Sequence, residues 1–180
     1  MRRILSVATW NVRSLVEDSG DGRICRKRPR PSSTSVDRKF DFLVHELRHY
    51  GVAIAAVQET KWFGTDVWTT KGYMLLHSGR GLATGDAVVH RNEGVGILLD
   101  PAMTQAWRRG GESWSAVSSR LVVAHLKIAD AGESTVPGRR WTRRRDLFVT
   151  VVSAYAPTGK ATAAVKDRFF EDLQREKKNQ

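Results

Sequence analysis

Three apolar runs in this chain end on side chains that could do chemistry. "ILSVATWNVRSL", residues 4 to 15, passes from a hydrophobic stretch to Asn11 and Arg13 directly behind Trp10. "VAIAAV", residues 52 to 57, is followed at once by "QETKW", which brings Glu59 and Lys61. "LFVTVVSAY", residues 147 to 155, stops on Tyr155. Taken singly, a Glu after a strand is a surface carboxylate and a Tyr at a strand end is core packing. Together they put a carboxamide, a carboxylate and a phenol at strand ends, where open α/β sheets place their sites. The charge pattern indicates the ligand class. Net charge is +11, and "RICRKRPR" (23 to 30) and "RRWTRRR" (139 to 145) carry five basic residues each and no acid. Setting those ten aside leaves 20 basic against 19 acidic residues, so the excess is two local patches suited to a polyanion such as a nucleic acid.

The elements that must position these residues follow from periodicity. "ILSVATW" (4 to 10) reads as a buried strand. Residues 17 to 36 combine Gly20, Gly22, Pro29, Pro31 and a Ser/Thr run with basic residues, which predicts a flexible loop. Asp37 can cap a helix whose apolar positions Phe40, Leu43, Val44, Leu47 and Tyr50 follow the spacing of one buried face, and Gly51 stops it. With "VAIAAV" this makes strand, crossover helix, strand, so the first two strands share a sheet, in parallel if they are neighbours. Asn11 and Glu59 then arrive at the same edge. Further strands are expected at 73 to 77, 93 to 100, 119 to 128 and 147 to 155, the last three as an antiparallel meander with 130 to 146 as a basic loop. A final helix from Ala161 would turn Val165, Phe169 and Leu173 to one side.

Composition excludes several classes. No apolar run approaches the roughly 20 residues of a membrane span, and the start lacks a secretory signal, so an intracellular protein is expected. The single Cys25 rules out an internal disulfide and argues against a zinc site. "RKRPRP" can act as a nuclear localisation signal, and a nuclear location is expected. The chain reads as one domain, 1 to 180, without internal repeat.

The succession "TWNVRSL", "AVQETKW", "EGVGILL", "SRLVVAHL", "VVSAYAPT" resembles the endonuclease/exonuclease/phosphatase superfamily, the deoxyribonuclease I-like fold. It is similar above all to the endonuclease domains of non-LTR retrotransposons and to craniofacial development protein 2-like sequences, over nearly all of the chain except the basic loops. The resemblance implies an α/β fold, the N-terminal part of a two-sheet, four-layer α/β/β/α sandwich. It also implies a phosphodiesterase that nicks DNA with Mg²⁺, or Mn²⁺, as cofactor. Asn11 and Glu59 match the family's metal and phosphate site, Glu59 as ligand and Asn11 as an uncharged positioning or outer-shell oxygen, which suits a hard cation. Tyr155 matches a phenol that stabilises developing charge. Lys61 pairs with Glu59 or reaches a phosphate. Arg13 stands where repair-type members carry an acid, so a phosphate contact and retrotransposon-type nicking are expected rather than abasic-site repair. Arg120 stands where relatives often carry an Arg, which serves phosphate or a structural ion pair. His45, His49, His77, His90 and His125 match no catalytic motif and are expected to be structural or exposed.

Departures matter as much. The family's "GDFN"-like motif and late Asp-His pair are not in this sequence. In relatives they follow the helix with which this chain closes, so a truncated domain is expected, inactive alone because general acid/base assistance is lost. In the full element the domain would be fused to a reverse transcriptase; a monomer with DNA as partner and no small-molecule cofactor is expected. Two other readings are a superfamily phosphoesterase acting on a lipid or inositol phosphate, which does not explain the basic loops, and a non-catalytic nucleic-acid-binding remnant. The basic runs generate a first test. If about half of the ten residues contact phosphates, log K for DNA against log salt falls with a slope of about −4 to −5. Neutralising Arg139, Arg140, Arg143, Arg144 and Arg145 should flatten that slope by several units in fluorescence anisotropy, and salt-independent binding would refute the electrostatic account.

Overall fold

The computed structural model describes residues 5–15, 36–79, 93–129 and 146–178. Both basic runs, with Cys25 and His90, lie outside the described residues. Among the described residues the chain is a mixed α/β structure of two sheets and three helices: β1 (Val7–Asn11), α1 (Val36–His49), β2 (Ile54–Gln58), β3 (Thr65–Thr70), β4 (Tyr73–Ser78), β5 (Val95–Leu99), α2 (Pro101–Arg109), β6 (Trp114–Ser118), β7 (Leu121–Ala129), β8 (Leu147–Ala154) and α3 (Ala163–Lys178). Among them no helix is long and apolar enough to cross a membrane.

The larger sheet runs β1-β2-β5-β4-β3 and the smaller β6-β7-β8. β1 and β2 are parallel neighbours, as the strand, helix, strand order predicts; every other pairing is antiparallel. One face of the larger sheet packs on α1 through Phe40, Leu43, Val44 and Leu47 against Ala55, Val57, Leu75 and Leu98. Its other face meets the smaller sheet, where Ile54, Leu76, Ile97 and Leu99 lie with Val122, Ala124 and Leu126. α2 adds Ala106 and Trp107 to that inter-sheet core, and α3 lies against β7.

Several expectations change. β1 is not a buried strand: it begins at Val7, which is 61% exposed, and only Ala8 and Trp10 turn toward the core. The reason is its place at the sheet edge, while the smaller sheet reaches β2, β4 and β5. α1 starts at Val36, so Asp37 sits in its first turn rather than at its cap. Tyr50 lies just past the helix end at His49, exposed and edge-on to His49, where the chain begins the turn that Gly51 (φ 61°) completes. The expected three-strand meander does not begin at β5, which is the middle strand of the larger sheet. The strand that completes it is β6, preceded by α2; neither element was expected from the sequence. β3, also unexpected, joins β4 by a two-residue turn in which Lys71 (φ 50°) and Gly72 (φ 85°) are both left-handed, the requirement of a type I′ hairpin. On α3, Phe169 is buried but Val165 is exposed.

α2 shows how a short helix is fixed locally. Asp100 is extended (φ −69°, ψ 173°) and its carboxylate accepts from Met103 N at 2.7 Å, with Pro101 filling the first position, where no amide donor is needed. Asp100→Ala should destabilise the protein by about 1 kcal/mol while Asp100→Asn costs much less, as read from urea midpoints; equal losses would exclude capping as the cause.

Candidate functional site

The parallel register places the site. Asn11, last residue of β1, stands opposite Gln58, last residue of β2, whose amide bonds Thr9 Oγ1 at 3.0 Å. Glu59 is therefore the next residue past the strand end, and Asn11 Nδ2 donates to its Oε1 at 2.7 Å. Tyr155 follows the end of β8 in the other sheet, its amide still bonded to Arg120 O at 2.9 Å. Its hydroxyl donates to the same Glu59 Oε1 at 2.8 Å. Residues from three motifs, 48 and 96 positions apart, thus meet on one carboxylate oxygen. Oε2 takes neither bond.

The backbone bends hard to make this possible. Arg13 (φ 53°), Glu59 (φ 57°) and Lys61 (φ 59°) are left-handed although none is glycine, and such conformations cluster where the surrounding structure enforces them. Here the enforcing contacts are visible. Asn11 Oδ1 accepts from Arg13 N at 3.0 Å. Buried Thr60 donates its amide to Gly94 O at 3.1 Å and accepts from Leu15 N at 2.9 Å, and Lys61 N bonds Glu93 O at 3.1 Å. Gly94 itself is at φ 117°, and a Cβ there would stand 2.2 Å from Thr60 Oγ1. The "GVG" motif is a requirement for close approach at its first glycine.

Electrostatics keep the carboxylate charged. Burial alone would raise the Glu59 carboxyl, but the hydrogen bonds from Asn11 and Tyr155 and the charges of Lys61 and Arg13 outweigh it and hold the group below its ordinary range. Burial and the Glu59 carboxylate push the Tyr155 phenol up, so at neutral pH it remains a donor. The donor set fits a hard cation carried by one carboxylate oxygen with water and phosphate completing its shell, as Mg²⁺ commonly is. Among the described residues no group of three His, Cys, Asp or Glu converges, so a cation here would draw on Glu59 with water and phosphate rather than on a cage of side chains.

Of the residues singled out in the sequence, Asn11, Glu59 and Tyr155 are brought together, with Arg13 and Lys61 beside Glu59. Arg120 is adjacent but engaged: Nη2 pairs with Glu93 Oε1 at 3.0 Å and Nη1 donates to Tyr155 O at 3.3 Å. Arg139, Arg140, Arg143, Arg144 and Arg145 lie outside the described residues. His45 and His49 are exposed, and His125 bonds Thr150 at 3.1 Å. Sequence reasoning missed Glu93, whose carboxylate takes Arg120 and Ser119, although it is the first letter of "EGVG". It also missed that His77, 1% exposed, meets Thr60 Oγ1 at 2.8 Å beneath the Glu59 turn.

Compared with protein-family models, with curated proteins and with solved structures, the chain matches none.

Burial lowers His77 from 6.5 to about 4, against the opposing influence of Asp66 and the backbone of Gly64. The unfolded chain therefore binds the extra proton first, so this contribution to stability is complete above pH 6.5 and is lost as pH falls toward 4. The difference amounts to about 3 kcal/mol. Urea unfolding should show a drop over that window that is markedly smaller in His77→Gln; parallel pH profiles would show that His77 is not the group responsible.

Proposed function

We propose that this chain carries part of the active site of a Mg²⁺-dependent phosphodiesterase of the endonuclease/exonuclease/phosphatase type, a DNA-nicking domain of the retrotransposon kind. Its two sheets and outer helices α1 and α3 would then be layers of a deoxyribonuclease I-like α/β/β/α sandwich. The observation that carries this reading is the convergence of Asn11 and Tyr155 on Glu59 Oε1, across the two sheets, from three separate sequence motifs. A core tyrosine and a surface carboxylate had no reason to meet.

Each residue has a role that its surroundings support. Glu59, kept ionised, would hold Mg²⁺, and what that ion supplies when bound is charge neutralisation at the phosphate and a more acidic water. Asn11, uncharged, orients the carboxylate without competing for the cation. Tyr155, kept protonated, donates its one O–H to Glu59 in this structure and would turn it to charge that develops on the phosphate once a substrate is bound. Lys61 and Arg13 add positive charge beside Glu59 and favour a phosphate there.

The decisive experiment joins the chain to a homologous C-terminal segment that supplies the "GDFN"-like and Asp-His elements and follows nicking of supercoiled plasmid with Mg²⁺. Glu59→Gln should reduce nicking by at least about 100-fold, and Tyr155→Phe, which keeps the ring, by about 100-fold, the effect of one lost donor to a developing oxyanion. The 180-residue chain alone should bind DNA without nicking it. Undiminished nicking by Glu59→Gln would remove that residue from the mechanism, and a fully active Tyr155→Phe would return Tyr155 to the core.

A further inference from the structure

The ion pair between Glu93 and Arg120 stands outside the cluster on Glu59 and yet reaches both Tyr155 and the turn that carries Glu59. Both side chains are largely buried, at 16% exposure for Arg120 and 17% for Glu93. The Arg120 fork is divided: Nη2 is 3.0 Å from Glu93 Oε1, and Nη1 is 3.3 Å from the Tyr155 carbonyl. Its guanidinium carbon also lies 5.3 Å from the centre of the Tyr155 ring, the range of a cation over an aromatic face. Glu93 is anchored in turn. Its Oε2 accepts from Ser119 Oγ at 2.6 Å, and its main-chain oxygen accepts from Lys61 N at 3.1 Å. A continuous path therefore runs from the turn that carries Glu59, through Glu93 and Arg120, to the ring whose hydroxyl returns to Glu59.

We propose that Arg120, anchored by Glu93, is a positioning residue that seats the Tyr155 phenol on Glu59, rather than a ligand for phosphate. A tyrosine just past a strand end is fixed by its backbone only as far as Cβ, and its hydroxyl sweeps a wide arc unless the ring is held. Here the ring packs against the inter-sheet core on one side and has two polar fixed points, the Glu59 oxygen at its tip and the guanidinium over its face. Arg is needed because a planar fork can serve a carboxylate and a carbonyl while lying flat on a ring, which a lysine ammonium cannot do. An arginine whose charge is paired with a carboxylate and whose fork is divided between two protein acceptors is a weaker lure for an incoming phosphate than an unpaired one. The inference rests on the phosphodiesterase reading only in giving Tyr155 a task.

Tyrosine-labelled full chain, with Tyr155 assigned by Tyr155→Phe, allows the side-chain rotamer to be read from Hα–Hβ couplings. In the wild type one large and one small coupling are expected, the mark of a single χ1 rotamer. Arg120→Lys keeps the charge and loses the fork; Arg120→Met loses both. In each, folded by circular dichroism, the couplings of Tyr155 should average, and Glu93→Gln should move them the same way. Couplings that stay at their wild-type values in folded Arg120→Lys would overturn the proposal. In the plasmid-nicking chimera, Arg120→Lys should lower kcat by up to about 100-fold at a nearly unchanged KM. A raised KM at constant kcat would instead make Arg120 a phosphate ligand and overturn it too. A chimera inactive with Arg120 intact counts against the phosphodiesterase reading alone, since the couplings decide the role of Arg120 without DNA.

Discussion

The site depends on an absence of atoms at Gly94. Thr60 is seated so closely against it that any side chain there would collide with the threonine hydroxyl at 2.2 Å. That seat is what allows residues 59 to 61 to leave β2 in a turn, with Glu59 and Lys61 left-handed on either side of Thr60, instead of continuing as a strand. Were Glu59 to continue in the strand, side-chain alternation would fix its direction by the pleat. With the turn, it stands between Asn11 of its own sheet and Tyr155 of the other. His77 and the carbonyls of Glu93 and Gly94 hold the turn from below and beside, so the unfavourable φ values are supported by several hydrogen bonds at once.

A second balance is electrostatic. A half-buried carboxylate in an apolar setting drifts toward its neutral form, and a neutral Glu59 would be a poor cation ligand. Here two hydrogen bonds donated to Oε1 and two nearby cations win over burial. Both donors are uncharged groups, and the cations sit on the neighbouring residues Arg13 and Lys61 rather than in an ion pair with Glu59. The carboxylate is stabilised without being neutralised by a partner, which leaves its charge available to a ligand.

How much of this was legible in the sequence varies with the kind of signal. α1 and β2 were readable because one carries a 3, 4, 7 stripe and the other an unbroken apolar run, and from their order the parallel pairing of β1 and β2 followed. That pairing is enough to bring Asn11 to Glu59. The meeting with Tyr155 was not derivable from periodicity, since it depends on how the second sheet lies on the first; there only the order of motifs helped. β3 escaped notice because "TDVWTT" alternates without a strong apolar face, as an edge strand does, with its exposed set at Thr65, Val67 and Thr69. α2 escaped because its nine residues show only about two and a half turns of pattern, although "DP" before "AMTQAW" is a start signal that could have been read. Tyr50 and Val165 failed as core residues for a common reason. A stripe of correct spacing is buried only as far as the opposing surface extends, and both lie at helix ends.

Because Glu59 and Tyr155 belong to different sheets, their 2.8 Å hydrogen bond is a measure of how the sheets are set on one another. That setting is fixed by the layer of Ile54, Leu76, Ile97, Val122, Ala124 and Leu126, all essentially without solvent contact. Interiors are close-packed, so removing several methyl groups from this layer costs about 2 to 5 kcal/mol and leaves the sheets to settle by fractions of an ångström. Such a shift is small for folding but large for a hydrogen bond, whose usable range spans only about half an ångström. The inter-sheet core, against which Tyr155 packs, is thus part of the site's geometry, and the Glu93 to Arg120 pair is the local tie that keeps Tyr155 in register when the larger layer relaxes. Asn11 needs no such tie, because the ladder of backbone bonds that ends at Asn11 and Gln58 already sets it beside the residue that follows.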